Sequence, residues 1–141
     1  MAQLRAVAPD VVAIDTDEAI VARNDGVWPD MARKNEVLIP AVLDDAERLD
    51  EVIVLNSFSL AEWTARLRAS FTIVLLDLPA DEQARRDEQR FAEEGWTNRE
   101  WFDWHRQEVA AQRDAGLFDH VVDAARPVED VAADLLRLLG R

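Results

Sequence analysis

Residues 11–15 read VVAID, an apolar run without polar alternation that closes on a carboxylate. Three later runs have the same form: residues 52–56 (VIVLN), 72–77 (TIVLLD) and 120–123 (HVVD). Strands that are apolar on both faces are typical of parallel sheets covered by helices. The four runs therefore predict an α/β fold with a mainly parallel sheet and helices on both faces, a three-layer sandwich.

Helical patterns separate and follow these runs. Residues 29–48 have helical periodicity on both sides of Pro40, which we expect to break or kink the helix. Residues 80–94 form a charged amphipathic segment. Residues 59–62 (SLAE) and 97–100 (TNRE) each have the sequence of a capping box, and they predict helices ending near residues 70 and 114. A final apolar stripe begins after Pro127 and stops at Gly140. We expect one domain over residues 1–141.

The composition narrows the classes of function. A formal charge of −13 disfavours a nucleic-acid partner. The absence of cysteine excludes disulfides and thiolate chemistry. No apolar run approaches the roughly 20 residues that span a bilayer, and no signal-peptide pattern opens the chain. We expect a cytoplasmic protein without a membrane partner.

An acidic cluster follows the first run directly, as Asp15, Asp17 and Glu18. Three carboxylates in four residues repel one another unless a cation, a hydrogen-bond donor or solvent relieves them. Such a cluster suits Mg²⁺ binding, with Asp15 as a candidate ligand, or removal of a proton from a substrate hydroxyl. The alternative is a solvated acidic turn that caps the next helix. Asp15 and Asp17 are the candidate catalytic residues.

Arg86 and Arg90 form the second candidate constellation. They lie four residues apart on the predicted helix that follows the third strand, so they share a face. Two guanidinium groups beside a strand end can hold polyphosphate. The alternative is an exposed helix in which these arginines pair with neighbouring carboxylates. A third cluster, of Trp96, Trp101 and Trp104, has to pack on the core, a ligand or a partner.

In this order the segments resemble the P-loop small-molecule kinases of the nucleoside, nucleotide, shikimate and gluconate kinase kind, over roughly residues 4–139. VVAIDTDE looks like their second strand with its DxD, and VIVLNSFS like their third. TIVLLDLPADEQARRDEQR is similar to a strand, proline and R-x-x-x-R whose arginines lie over the nucleotide. FDHVVDAARPVEDVAADLLRLL looks like their last strand, a turn near the adenine, and the closing helix.

The resemblance implies roles for particular residues. Asp17 would be the acceptor-side base, Asp15 a metal or acceptor contact, and Arg86 and Arg90 clamps in a lid-like helical segment over about residues 80–116. Trp28 and Arg33 would line the acceptor pocket. ATP and Mg²⁺ are the cofactors that the resemblance implies, and a nucleotide or a small-molecule acceptor is the partner.

The phosphate-binding loop of that family is missing from the sequence. The four glycines, at positions 26, 95, 116 and 140, and the single Lys34 form no G-x-x-x-x-G-K-[ST]. The DxD strand begins near residue 11, so we expect the first strand, the loop and the first helix to be absent from this chain. A kinase domain incomplete in this way should be inactive alone.

Two other functions stay open. A non-enzymatic α/β binding module would explain the missing loop, and the sheet edges left open would favour pairing with a second copy. Phosphatases of the haloacid dehalogenase kind also begin with hhhhDxD. They need a Gly-Thr after it, where this chain has Glu18-Ala19, and a later lysine, whereas Lys34 precedes the second strand.

Overall fold

The computed structural model describes residues 1–49, 51, 53–56, 60–97 and 99–141 and has a mixed α/β architecture. The chain divides into two compact units, Met1–Phe58 and Ser59–Arg141. Each unit is built on one pair of parallel strands. The predicted α/β class and parallel pairing are confirmed, whereas the single domain over residues 1–141 stays a prediction. Among the described residues, no helix has the length and apolar character needed to cross a membrane.

The first unit places two short strands against helices. The strands β1 (Val12–Asp15) and β2 (Ile53–Asn56) pair in parallel, with Val12 opposite Ile53. Ile20, Leu38 and Val42 form a buried apolar cluster against which strand side chains pack. The elements in chain order are α1 (Ala2–Val7), β1 (Val12–Asp15), α2 (Thr16–Arg23), α3 (Met31–Arg33), α4 (Ile39–Glu47) and β2 (Ile53–Asn56).

Pro40 distorts the helix that contains it without breaking it. A π-helical stretch, Lys34–Leu38, joins α3 to α4, and the Ile39 N–H bonds to the Lys34 carbonyl five residues back. A proline ring clashes with the carbonyl four residues before it, which here belongs to Glu36. The wider π turn relieves this clash and lets the helical path continue past the proline.

The second unit has the same alternation of helices and strands, with β3 (Val74–Asp77) and β4 (His120–Asp123) paired in parallel. The helix predicted for residues 80–94 is confirmed with those bounds, and it ends at Gly95, whose φ of 77° favours glycine. Ser59 and Asn98 of the predicted capping boxes lie outside the described residues. The elements are α5 (Ala61–Leu67), β3 (Val74–Asp77), α6 (Ala80–Glu94), a 3₁₀ turn (Arg99–Trp101), α7 (Phe102–Asp114), β4 (His120–Asp123) and α8 (Val128–Leu138).

Asp119 ties the beginning of β4 to the segment that leads into β3. Its carboxylate accepts hydrogen bonds from the Ile73 N–H at 2.8 Å and from the Arg68 guanidinium at 2.9 Å. The backbone N–H of Ile73, followed by the Arg68 guanidinium, holds the pKa of Asp119 below its usual value. This carboxylate helps to set the register in which β3 and β4 pair.

A buried polar network joins α5 to α7. The Thr64 hydroxyl lies 2.7 Å from the Gln112 side-chain oxygen. The Gln112 amide donates to Glu108 at 3.1 Å, and Glu108 also accepts the Ala61 N–H at 2.8 Å, which occupies one of the free donors at the start of α5. Among the described side chains, by contrast, the Thr16 hydroxyl is the one buried polar group without a hydrogen-bond partner.

These two threonines, each 3% exposed, give a matched test of buried hydroxyl groups. Thr64→Val should lower the free energy of unfolding by about 1–3 kcal/mol, because it removes the buried hydrogen bond between Thr64 and Gln112. Thr16→Val should raise that free energy by about 1 kcal/mol, because it removes a desolvated hydroxyl without breaking a hydrogen bond. Urea denaturation followed by circular dichroism measures both, and a loss of stability in both variants would contradict the prediction.

Candidate functional site

Within each unit the two parallel strands end side by side in polar residues. Asp15 of β1 lies in register with Asn56 of β2, and Asp77 of β3 lies in register with Asp123 of β4. All four strands end at the Asp or Asn that the sequence indicated. Ligands of α/β proteins bind at this edge of the sheet. Each unit therefore offers one polar strand-end edge on which a site can be built.

The three crowded carboxylates after β1 are relieved in three different ways. Asp15 is the N-cap of α2 and accepts the N–H groups of Asp17 and Glu18, at 3.0 and 3.3 Å. Glu18 binds the Arg5 guanidinium through both oxygens, at 2.8 and 3.3 Å. Asp17 has a side chain that is 70% exposed, and its charged neighbour is the Lys34 ammonium. The alternative of a solvated acidic turn that caps a helix thus accounts for Asp15 as the cap and for the exposure of Asp17.

Asp17 lies beside a cation and an aromatic ring. The Lys34 ammonium is 3.9 Å from an Asp17 carboxylate oxygen and 4.5 Å from the centre of the Trp28 ring. Half of Trp28 is exposed, so its indole offers a flat apolar surface next to both charges. A carboxylate, an ammonium and an open ring suit a small polar ligand that carries a ring or a hydroxyl group.

Arg33 stabilises the loop that carries Trp28. Its guanidinium donates to the Asn24 side-chain oxygen at 2.7 Å, and the Asn24 amide donates to the Val27 carbonyl at 2.8 Å. Its backbone N–H is accepted by Asp30, the N-cap of α3. The structure thus brings Asp17, Trp28 and Lys34 together, and it places Arg33 as a support for the Trp28 loop.

The geometry gives little support to a metal held by protein ligands alone. Asp15 already accepts two backbone N–H groups. Within the described ranges, no group of three or more histidine, aspartate or glutamate side chains is arranged to hold a metal ion. The metal role of Asp15 stays a prediction.

The second unit contains a cleft of about 550 Å³ between α6 and the turn that follows β4. Glu82, Arg85, Arg86 and Gln89 line it from one face of α6, because positions i, i+3, i+4 and i+7 of a helix lie together. Residues Ala124 to Val128 line the opposite side, with Val131 of α8. The cleft therefore joins two segments about 40 residues apart, each of which the resemblance assigns to the nucleotide.

Only one of the two predicted clamp arginines lines this cleft. The Arg86 guanidinium donates to the Ala124 carbonyl at 2.8 Å and to Glu82 at 2.7 Å. Arg90 instead lies 3.8 Å from the buried Asp87 and stacks 4.5 Å from the centre of the Trp96 ring. The pairing with neighbouring carboxylates that the sequence offered as the alternative is present for both arginines.

Two strand-end carboxylates of this unit are used within the protein. Asp77 pairs with Arg113 of α7 at 3.0 Å. Asp123 accepts the Ala125 N–H at 2.9 Å and so shapes the turn beside the cleft. Asp15 and Asp17 lie in the first unit, whereas Arg86 and Arg90 lie in the second.

Sequence reasoning missed several residues of both sites. The contact of Lys34 with Asp17 was not predicted, because nothing in the sequence relates two residues with this separation. Arg85 stands next to Arg86 in the sequence and also lines the cleft. Helical periodicity did not indicate that Arg86 lines the cleft whereas Arg90 does not. Arg126 and Gln89 also line the cleft, and no sequence pattern distinguished them.

Comparison with known proteins adds no family assignment. No protein-family model matches the sequence, and no curated protein matches it.

Glu82 should remain ionised far below the usual range for a glutamate. Hydrogen bonds from Arg85 and Arg86 lower its pKa from 4.5 to about 2. Because the folded-state pKa is depressed, the stability that Glu82 contributes should be complete above pH 4.5 and lost as the pH falls towards 2. A carbon-detected NMR titration measures this pKa directly. It should rise towards 4.5 in a variant carrying Arg85→Gln and Arg86→Gln, and a wild-type midpoint near 4.5 would contradict the assignment.

Proposed function

We propose that this chain is a P-loop-kinase-like domain for a nucleotide and a small-molecule acceptor, incomplete in its phosphate-binding part. The observation that carries the proposal is the meeting of Arg86 with the turn after β4 in one cleft. These are the two segments that resemble the arginine helix and the adenine-side turn of such kinases. The nucleoside end of a nucleotide would occupy this cleft.

The pairing of the strands supports the same proposal. In the kinase fold the loop-bearing first strand is central, so the remaining four strands form two outer pairs. Here β1 and β2, which resemble the second and third strands of that fold, pair with each other. The strands β3 and β4, which resemble its last two strands, also pair with each other. We propose that these pairs are the outer parts of a three-layer P-loop sandwich whose central strand does not lie among the 141 residues.

The acceptor would bind in the first unit. Asp17 is the exposed carboxylate that can accept a proton from an acceptor hydroxyl. The Trp28 ring provides a surface for a planar or sugar-like acceptor, and Lys34 places a positive charge beside the ring. Glu18 is paired with Arg5, and Asp15 caps α2. Asp17 is therefore the candidate base.

We expect this chain alone to release no ADP from ATP with any nucleoside or sugar-acid acceptor. Phosphoryl transfer needs donors that neutralise charge on the γ-phosphate, and one such donor is worth roughly 10²–10³ in rate. A coupled assay measures turnover and calorimetry measures ATP binding, which should be weak because the cleft would hold the nucleoside end without a loop for the γ-phosphate. Fusing a strand, glycine-rich loop and helix before residue 1 should restore tight binding. Robust turnover by the 141-residue chain, lost on Asp17→Asn, would contradict the proposal.

Arg86 and Arg90 provide a matched pair for the nucleotide cleft. Arg86→Gln should weaken binding of AMP by about tenfold, since it removes a charge-assisted donor from the cleft. Arg90→Gln makes the same change of charge one turn later, outside the cleft lining, and should leave the affinity within about twofold. Ligand-observed NMR measures both affinities, and equal losses would indicate that both arginines clamp the nucleotide.

A second candidate function rests on the contact between Lys34 and Asp17. A lysine near a DxD is also what a haloacid-dehalogenase-like phosphatase needs. Such an enzyme would release inorganic phosphate from p-nitrophenyl phosphate in the absence of ATP, and Asp15→Asn would abolish the release. Phosphate release without ATP therefore separates this function from the kinase-like one.

A further inference from the structure

The cleft beside α6 is positively charged in a strongly acidic protein. Three guanidinium groups line it, those of Arg85, Arg86 and Arg126, against the carboxylate of Glu82, and Arg126 is also paired with Asp134, which lies outside the lining. The whole chain has 29 acidic side chains and 16 lysines and arginines. A cationic cleft on an anionic protein concentrates anions. Planar guanidinium groups bind phosphate oxygens through paired hydrogen bonds, so a phosphate group is the anion that suits it.

Glu82 already occupies the donors that such a phosphate would use. One Glu82 oxygen lies 2.7 Å from the Arg85 Nη2 and 2.7 Å from the Arg86 Nε. The other oxygen lies 2.7 Å from the Arg85 Nε. Both guanidinium groups thus share one carboxylate, which itself lines the cleft. Glu82 stands where an anionic group of a ligand would bind.

A tethered carboxylate is a strong competitor for its own arginines. Because Glu82 and the arginines lie on one helix, their pairing is intramolecular and corresponds to a high effective concentration. A free carboxylate offers no more charge than Glu82 and should fail to displace it. A phosphate monoester carries up to two charges and three acceptor oxygens, so it can bind both guanidinium groups in place of Glu82.

We propose that Glu82 is a built-in competitor that occupies Arg85 and Arg86 when no ligand is bound and admits phosphate groups, but not carboxylates, to these two arginines. This inference rests on the proposed nucleotide function of the same cleft and adds the residue that sets its selectivity. Glu82 acts through the arginines and is a positioning residue for them.

The test compares Glu82→Gln with Glu88→Gln in the full chain. Both substitutions remove one negative charge from α6, but Glu88 pairs with Arg99 and does not line the cleft. NMR titrations with AMP, inorganic phosphate, acetate and adenosine give the affinities. Glu82→Gln should tighten AMP and phosphate by about tenfold, bring acetate binding into the measurable range, and leave adenosine within twofold. Glu88→Gln should change none of them.

Each other outcome has a defined meaning. Equal tightening by both variants would indicate a general charge effect and would overturn the role of Glu82. Unchanged affinities in Glu82→Gln, or the absence of phosphate binding to every variant, would overturn it as well. If Glu82→Gln is unfolded by circular dichroism, Glu82→Asp replaces it. That variant shortens the carboxylate and should tighten AMP by a smaller factor, and no tightening overturns the role. Adenosine binding to the wild type reports separately on the proposed function: its absence refutes that function, whereas its presence with unchanged phosphate affinities refutes only this inference.

Discussion

Parallel pairing obliges the chain to return between two partnered strands, and in this protein helices make that return. The constraint has a chemical consequence, because partnered strands then end together. It places Asp15 next to Asn56, and Asp77 next to Asp123. Four-residue strands bury too little by themselves to be stable. The helices that cover them, such as α2 and α4 with Ile20 and Val42, supply the apolar contacts on which the strand ends depend.

Crowded charge is handled locally throughout the molecule. After β1 a helix N-terminus takes one carboxylate, an arginine takes another, and a lysine and solvent share the third. On α6 the reverse arrangement is found, where a single carboxylate serves two guanidinium groups. The two proposed ligand sites lie at these places, one at the exposed Asp17 and one at the arginines that Glu82 holds. The local balance of charges therefore determines where the candidate sites lie.

Sequence patterns predicted what depends on neighbours along the chain. The strand ends at Asp15 and Asp77, the bounds of α6 and the stop at Gly95 all follow from local propensity and capping. Glu82 lies three residues before Arg85 and four before Arg86, so helical spacing also favours these two pairs, and the folded helix shows that one carboxylate takes both. Patterns did not predict contacts between different elements. The contact of Lys34 with Asp17 depends on how α2 and the following helix pack, which no spacing rule encodes.

The π-helical stretch acts as an angular adjustment within one continuous helix. Successive α-helical residues advance by about 100° around the axis, so a turn that holds one extra residue shifts the phase of everything after it by that amount. Lys34, at the start of the stretch, reaches the exposed Asp17, while Leu38 at its end and Val42 beyond it are buried. The extra residue thus lets a single helix present a charge to Asp17 at one end and an apolar face to the core at the other.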